Sequence, residues 1–168
     1  RTTVFGGGGT STVVFKGEVD ISGNGPGPHC LVFNQPVGPT ATLDASGTYP
    51  FCNPTSSTVN PAPSGPMLVY LQDGSLVRQN ADFISAETTI YQEADPAFGA
   101  SWTHQIDLGA GTSSNLLMTA PTTVGYRLQN LTIWAENRAG VDNPVSQANQ
   151  LGSQNKLALE GTLFLPNG

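Results

Sequence analysis

The chain has 168 residues, six basic against twelve acidic side chains, and a formal net charge of −6 at pH 7. That balance lacks the clustered Lys and Arg needed to displace counterions from nucleic acid or to hold an anionic membrane surface, which excludes both roles. No apolar run approaches the roughly 20 residues that span a bilayer, so membrane insertion is not expected.

Charged residues make up 11% of the chain, against about 25% in an average soluble domain, and helical surfaces are usually built from Glu, Lys and Arg. With 20 Gly and 13 Pro, the composition predicts short strands and turns in a single domain. The sequence opens on Arg1 rather than Met, as expected after loss of a leader or trimming.

Residues 1–10 contain the run Gly6–Gly9, which cannot hold a fixed backbone on its own, so a flexible N-terminal arm is expected ahead of one domain over 11–168. Residues 11–21 read as one strand, with Val13, Phe15, Val19 and Ile21 on one face. Cys30 to Asn34 reads as a short apolar strand. Residues 35–66 read as a long loop with one short strand near Tyr49–Cys52. Asp73-Gly74, between Met67–Gln72 and Ser75–Gln79, is a hairpin signal. Further strands are expected at 87–92, 101–108, 116–119 and 155–165. One long strand is expected over 123–135, with Tyr126, Leu128, Thr132 and Trp134 on one face. No repeat period and no convincing helix are visible; a short helix has room only at 142–151. Eight to ten short strands with turns between them predict an all-β, antiparallel sandwich.

Cys30 and Cys52 are the only cysteines. In an oxidising compartment a bond between them would close a loop worth roughly 3 kcal/mol; two buried thiols are the alternative. The histidines, His29 and His104, lie in no nucleophile setting, and no Gly-x-Ser-x-Gly elbow occurs. His29, Cys30, Cys52 and His104 match no zinc spacing. Asp73, Glu87, Glu93 and Asp95 are no more than any acidic β-protein offers as a glycosidase pair. Gly6–Gly9 lacks the Gly-Lys-Ser/Thr of a phosphate loop. An isopeptide bond from Lys16 has a solvated pair with Glu18 as its plainer reading, and Asn130-Leu131-Thr132 is a glycosylation sequon inside an expected strand. No catalysis, no metal and no cofactor are expected.

Thr2-Thr3-Val4, a glycine run, Val14-Phe15-Lys16-Gly17-Glu18-Val19 and then Cys30 follow one another in an order that resembles the start of chaperone–usher fimbrial (type 1-like) pilin subunits, mainly over residues 2–30. Cys52 follows sooner than the family's second cysteine, and the end Phe164-Leu165-Pro166-Asn167-Gly168 departs from the family's ending, as in a divergent member. The resemblance implies an immunoglobulin-like antiparallel β-sandwich that lacks its last strand. It implies donor-strand exchange through Thr3, Val4, Phe5, Gly7 and Gly9, with copies of itself as the principal partner. A periplasmic chaperone and an outer-membrane usher would assist assembly into an extracellular, cell-surface filament reached through the periplasm. Two other readings fit the residues: a virion decoration or tail protein whose arm clasps a neighbour, and a carbohydrate-binding module or tip adhesin stacking sugars on Trp102, Trp134 or tyrosines.

Overall fold

A computed structural model describes residues 2–5, 10–16, 19–22, 30–34, 65–72, 76–79, 81–93, 106–109, 115–135 and 156–164. The strands are β1 (Thr2–Phe5), β2 (Ser11–Lys16), β3 (Val19–Ser22), β4 (Cys30–Phe33), β5 (Met67–Gln72), β6 (Leu76–Gln79), β7 (Asp82–Ser85), β8 (Thr88–Glu93), β9 (Ile106–Asp107), β10 (Asn115–Thr119), β11 (Leu131–Ala135), β12 (Lys156–Glu160) and β13 (Thr162–Phe164). No helix occurs among the described residues, so the all-β expectation holds.

The sandwich is corrected. Every strand pairing among the described residues is parallel, where an antiparallel immunoglobulin-like sandwich was expected. The first sheet has the order β1-β4-β7-β10-β12, the second β13-β11-β8-β5-β2, and the third β3-β6-β9. The chain visits the sheets in the same cyclic order, so successive passes stack as the coils of a parallel β-solenoid. Neighbouring coils lie about 4.8 Å apart.

At the described corners the chain passes from a strand of one sheet to a strand of another. Gly161 alone separates β12 from β13, at φ +120°. Asn34, after β4, has φ +50°, and Glu87, before β8, has φ +49°. Glu87 and Gly161 each stand where the chain leaves a strand of the first sheet and enters one of the second instead of folding back. Asn34 is buried and its Nδ2 donates to the carbonyls of Gly65 (3.0 Å) and Ala86 (2.9 Å), which offsets the cost of that backbone. Backbone bonds carry the ladder around the bends: Ala86 N donates to Phe33 O, Met67 N to Glu87 O, Ala120 N to Glu160 O and Thr162 N to Asn130 O.

Three expected elements therefore divide. Residues 11–21 split into β2 and β3, which belong to different sheets. The two arms of the expected Asp73-Gly74 hairpin, β5 and β6, do not pair with each other; β5 joins the second sheet and β6 the third. The expected strand 155–165 bends at Gly161. The expected strand 123–135 is a strand only from Leu131: Tyr126 N donates to Thr123 O, Gln129 N to Tyr126 O and Leu131 N to Leu128 O, with Gly125 at φ +83° and Asn130 at φ +63°. Asn130 thus sits exposed in a turn, outside the strand that was expected to hold the sequon. Strand β7, with all four residues buried, was not anticipated. Residues 35–64, 101–105 and 142–151 lie outside the described residues, and so do the expectations placed on them.

The core runs through the stack as rows of registered side chains. In the second sheet Val13, Val69, Ile90, Ile133 and Leu163 share a register position. In the first sheet Leu31, Phe83, Leu116 and Leu157 do the same. Phe33 joins the layers, with its ring 6.2 Å from Phe15 and 5.6 Å from Phe83. Truncating Phe83 to Ala is expected to cost 3–5 kcal/mol, roughly the loss of a fully buried ring. At Gly161 an added Cβ would overlap Thr132 Oγ1 and the Ala120 Cβ at a φ that side chains rarely adopt. Gly161→Ala should therefore lower stability by about 3 kcal/mol, read as a shift in urea midpoint with an unchanged slope.

Candidate assembly surface

Along each strand of the second sheet, alternate residues point out of the solenoid. Val14, Tyr70, Tyr91, Trp134 and Phe164 occupy one register position in five successive strands. The rings of Tyr70 and Tyr91 stack with centroids 5.8 Å apart, and those of Trp134 and Phe164 at 4.3 Å. Tyr70 Oη donates to the Glu93 carboxylate. Two residues along, Lys16, Gln72 and Glu93 form a parallel polar row. Tyr70, Tyr91 and Trp134 are half-buried, whereas Ile84 of the first sheet, outside its core row, is buried. Trp134 Nε1 is buried and has no hydrogen-bond partner.

The exposed apolar residues mark the two ends of the stack. Among the described residues the large exposed hydrophobics are Val14 at 50%, Val124 at 90%, Leu157 at 54% and Phe164 at 42%. Val124 lies in the turn 121–130. Val14 is on the first coil, and Leu157 and Phe164 are on the last. Leu157 shares its register position with Phe83 and Leu116, which are wholly buried two coils and one coil inward. It is exposed because no further described strand covers it. Val13, Phe15 and Val19 on the first coil, and Leu159 and Leu163 on the last, are likewise only partly buried against the core. Sheet edges coincide with these residues: β1 and β12 bound the first sheet, and β2 and β13 the second.

The residues expected to form the donor arm fall at one of these edges. Thr3, Val4 and Phe5 are in β1, paired with Leu31, Val32 and Phe33 of the same chain. Gly7 and Gly9 lie outside the described residues. Cys30 opens β4 opposite Asp82, and Cys52 lies outside the described residues together with the disulfide expectation. His29, Trp102, His104 and Asp95 are also outside them. Glu87 is a corner residue whose carboxylate accepts from Thr122 N (2.7 Å) and Thr122 Oγ1 (2.6 Å), which anchors the exposed turn 121–130.

One buried charge supports the stack from within. Arg78, on β6, has no exposed surface. Its Nε donates to Leu108 O at 2.9 Å and its Nη1 to Ala81 O at 2.8 Å, so it ties the ends of the third-sheet strands to the approach to β7. Burial pulls the guanidinium down to about 10, Asp82 and Asp107 draw it back up, and it stays charged at neutral pH.

The alternation over 123–135 pointed to core packing for Trp134, whereas Ile133 fills the core and Trp134 lies in the outward row; the row itself, with Tyr70, Tyr91 and Phe164, was missed. A signal was present: Val13-Val14, Val69-Tyr70, Ile90-Tyr91, Ile133-Trp134 and Leu163-Phe164 repeat an aliphatic core residue followed by an outward apolar one. No protein-family model, curated protein or solved structure matches this chain.

Arg78→Met should destabilise the fold by about 3–5 kcal/mol, because it leaves the buried Asp82 without its cation and two carbonyls without a donor. Equilibrium urea unfolding followed by tryptophan fluorescence measures it.

Proposed function

We propose that this chain is a non-catalytic structural subunit of an extracellular, cell-surface filament of the pilus or fimbria kind, built from copies of itself by strand addition. The observation that carries this reading is the run-out of core rows at both ends of the coil stack, at Val13 and Phe15 on one side and Leu157 and Leu163 on the other. Solenoids that stay monomeric close their ends with polar capping repeats. Among the described residues the terminal coils present apolar side chains beside sheet edges that no described strand pairs, a combination that recruits another strand. The two ends differ, so their contact is heterologous, and a heterologous contact that does not close into a ring grows into a fibre.

The N-terminal segment supports the same role through a geometry other than the one the pilin resemblance implied. One edge of β1 is engaged by β4 of its own chain, and the other is the outer edge of the first sheet, available to complete a neighbour's. The homopolymer is the partner this supports. The low charge and the cysteine pair suit an oxidising extracellular setting.

A second reading is favoured by the outer aromatic row. Half-exposed rings at a regular pitch, beside Gln72 and Glu93, would suit an adhesin that stacks sugar rings and hydrogen-bonds their hydroxyls. Under that reading Tyr91→Ala loses glycan-array binding while assembly is unchanged.

Native material run in SDS, unheated and boiled, with and without reductant, tests the filament reading. A ladder that collapses on boiling is expected, with fibres visible by negative-stain electron microscopy. A monomer in every lane and at every concentration by light scattering would overturn it.

A further inference from the structure

Resting on the filament reading, we propose the junction itself: the last coil of one copy receives the first coil of the next, β12 pairing with β1 and β13 with β2, both parallel and in the register the chain already uses internally. The partner is a second copy of this chain, and no arm leaves its own fold.

Continuity with the coil-to-coil packing inside the chain is the first argument. In the second sheet the outer row ends in Val14 on one edge strand and Phe164 on the other, half or nearly half exposed at 50% and 42%. Stacking one copy on the next sets Val14 against Phe164, as Tyr70 is set against Tyr91 and Trp134 against Phe164 within the chain. The same step sets Val13 on Leu163, which extends the row Val69, Ile90 and Ile133. In the first sheet it brings the register positions of Thr3 and Phe5 onto those of Leu157 and Leu159, because Thr3 pairs with Leu31, Phe5 with Phe33, and these lead through Phe83 and Ser85 to β10 and β12.

The distribution of exposed apolar surface is the second argument. Apart from Val124 in a turn, the large exposed hydrophobics of the described residues are these end positions and no others. Both edges are parallel strands of the same two sheets in the same chain direction. Each therefore offers the other an unbroken ladder without reversal or rotation of the strand, which neither would offer to a second copy of itself.

The test uses two variants of the full chain that each spoil one end, Val14→Lys and Phe164→Lys. Each alone should raise the concentration needed for assembly about tenfold or more. Mixed in equal amounts they should form dimers and nothing longer, since one intact first coil can meet one intact last coil once only. Sedimentation velocity reads the distribution, and far-ultraviolet circular dichroism confirms that both variants are folded. Should Phe164→Lys unfold, benzophenone placed at the exposed Leu157 replaces it. Mixed with isotope-labelled copies, it should crosslink between chains to the peptide holding Thr2–Phe5. Long polymers from the mixture, or crosslinks elsewhere, while the wild type assembles, would overturn the junction and leave the filament standing. A wild type that never assembles would overturn both.

Discussion

Where β12 ends at Glu160, one residue at φ +120° stands between it and β13, and the chain enters a different sheet instead of running back along its own. Glu87 acts at the corresponding bend between β7 and β8, and Asn34 takes the same left-handed backbone at the end of β4. A hairpin makes a strand the antiparallel neighbour of its predecessor. A single left-handed bend between β7 and β8, or between β12 and β13, places the two strands in different sheets, and each of them pairs in parallel with strands of other coils. The cost of non-glycine residues in that conformation is met locally, by the two bonds from Asn34 Nδ2 and by the Thr122 contacts of Glu87.

Parallel stacking makes the molecule quasi-one-dimensional. Each coil is stabilised by the coils above and below it, and the interior is a set of registered rows instead of two facing layers. Buried polar groups hold the turns of that stack. Arg78 does so where the third sheet gives way to the first, and Thr132, at the irregularity between β11 and β13, donates to Glu160 O. The outward row of Val14, Tyr70, Tyr91, Trp134 and Phe164 follows from the same register, since one position repeats its environment in every coil.

The properties of the ends follow too. A row that is wholly buried at Leu116 is more than half exposed one coil further on at Leu157. Nothing about the Leu157 side chain differs; the number of neighbouring coils does. These ends are what the proposed strand addition uses, and β1, expected as a free arm, is paired with β4 of its own fold.

The sequence by itself determined that the chain is built of strands. Low charge, many glycines and prolines, the alternation over 11–21 and the β-rich runs at 67–72 and 87–92 are local properties, and strands stand there at Ser11–Lys16, Val19–Ser22, Met67–Gln72 and Thr88–Glu93. Parallel or antiparallel pairing was not legible, because alternation states which face is buried and says nothing of which strand lies alongside. The coil repeat was hidden as well: coils begin at Thr2, Cys30, Asp82, Asn115 and Lys156, so they are 28, 52, 33 and 41 residues long and give no fixed period. Asp73-Gly74 was readable as a place where the chain changes direction, whereas Gly161 was read as part of one strand over 155–165. Only the tertiary structure decided that the change is a bend between sheets and not a reversal, because that choice depends on the register of coils brought together from distant parts of the chain.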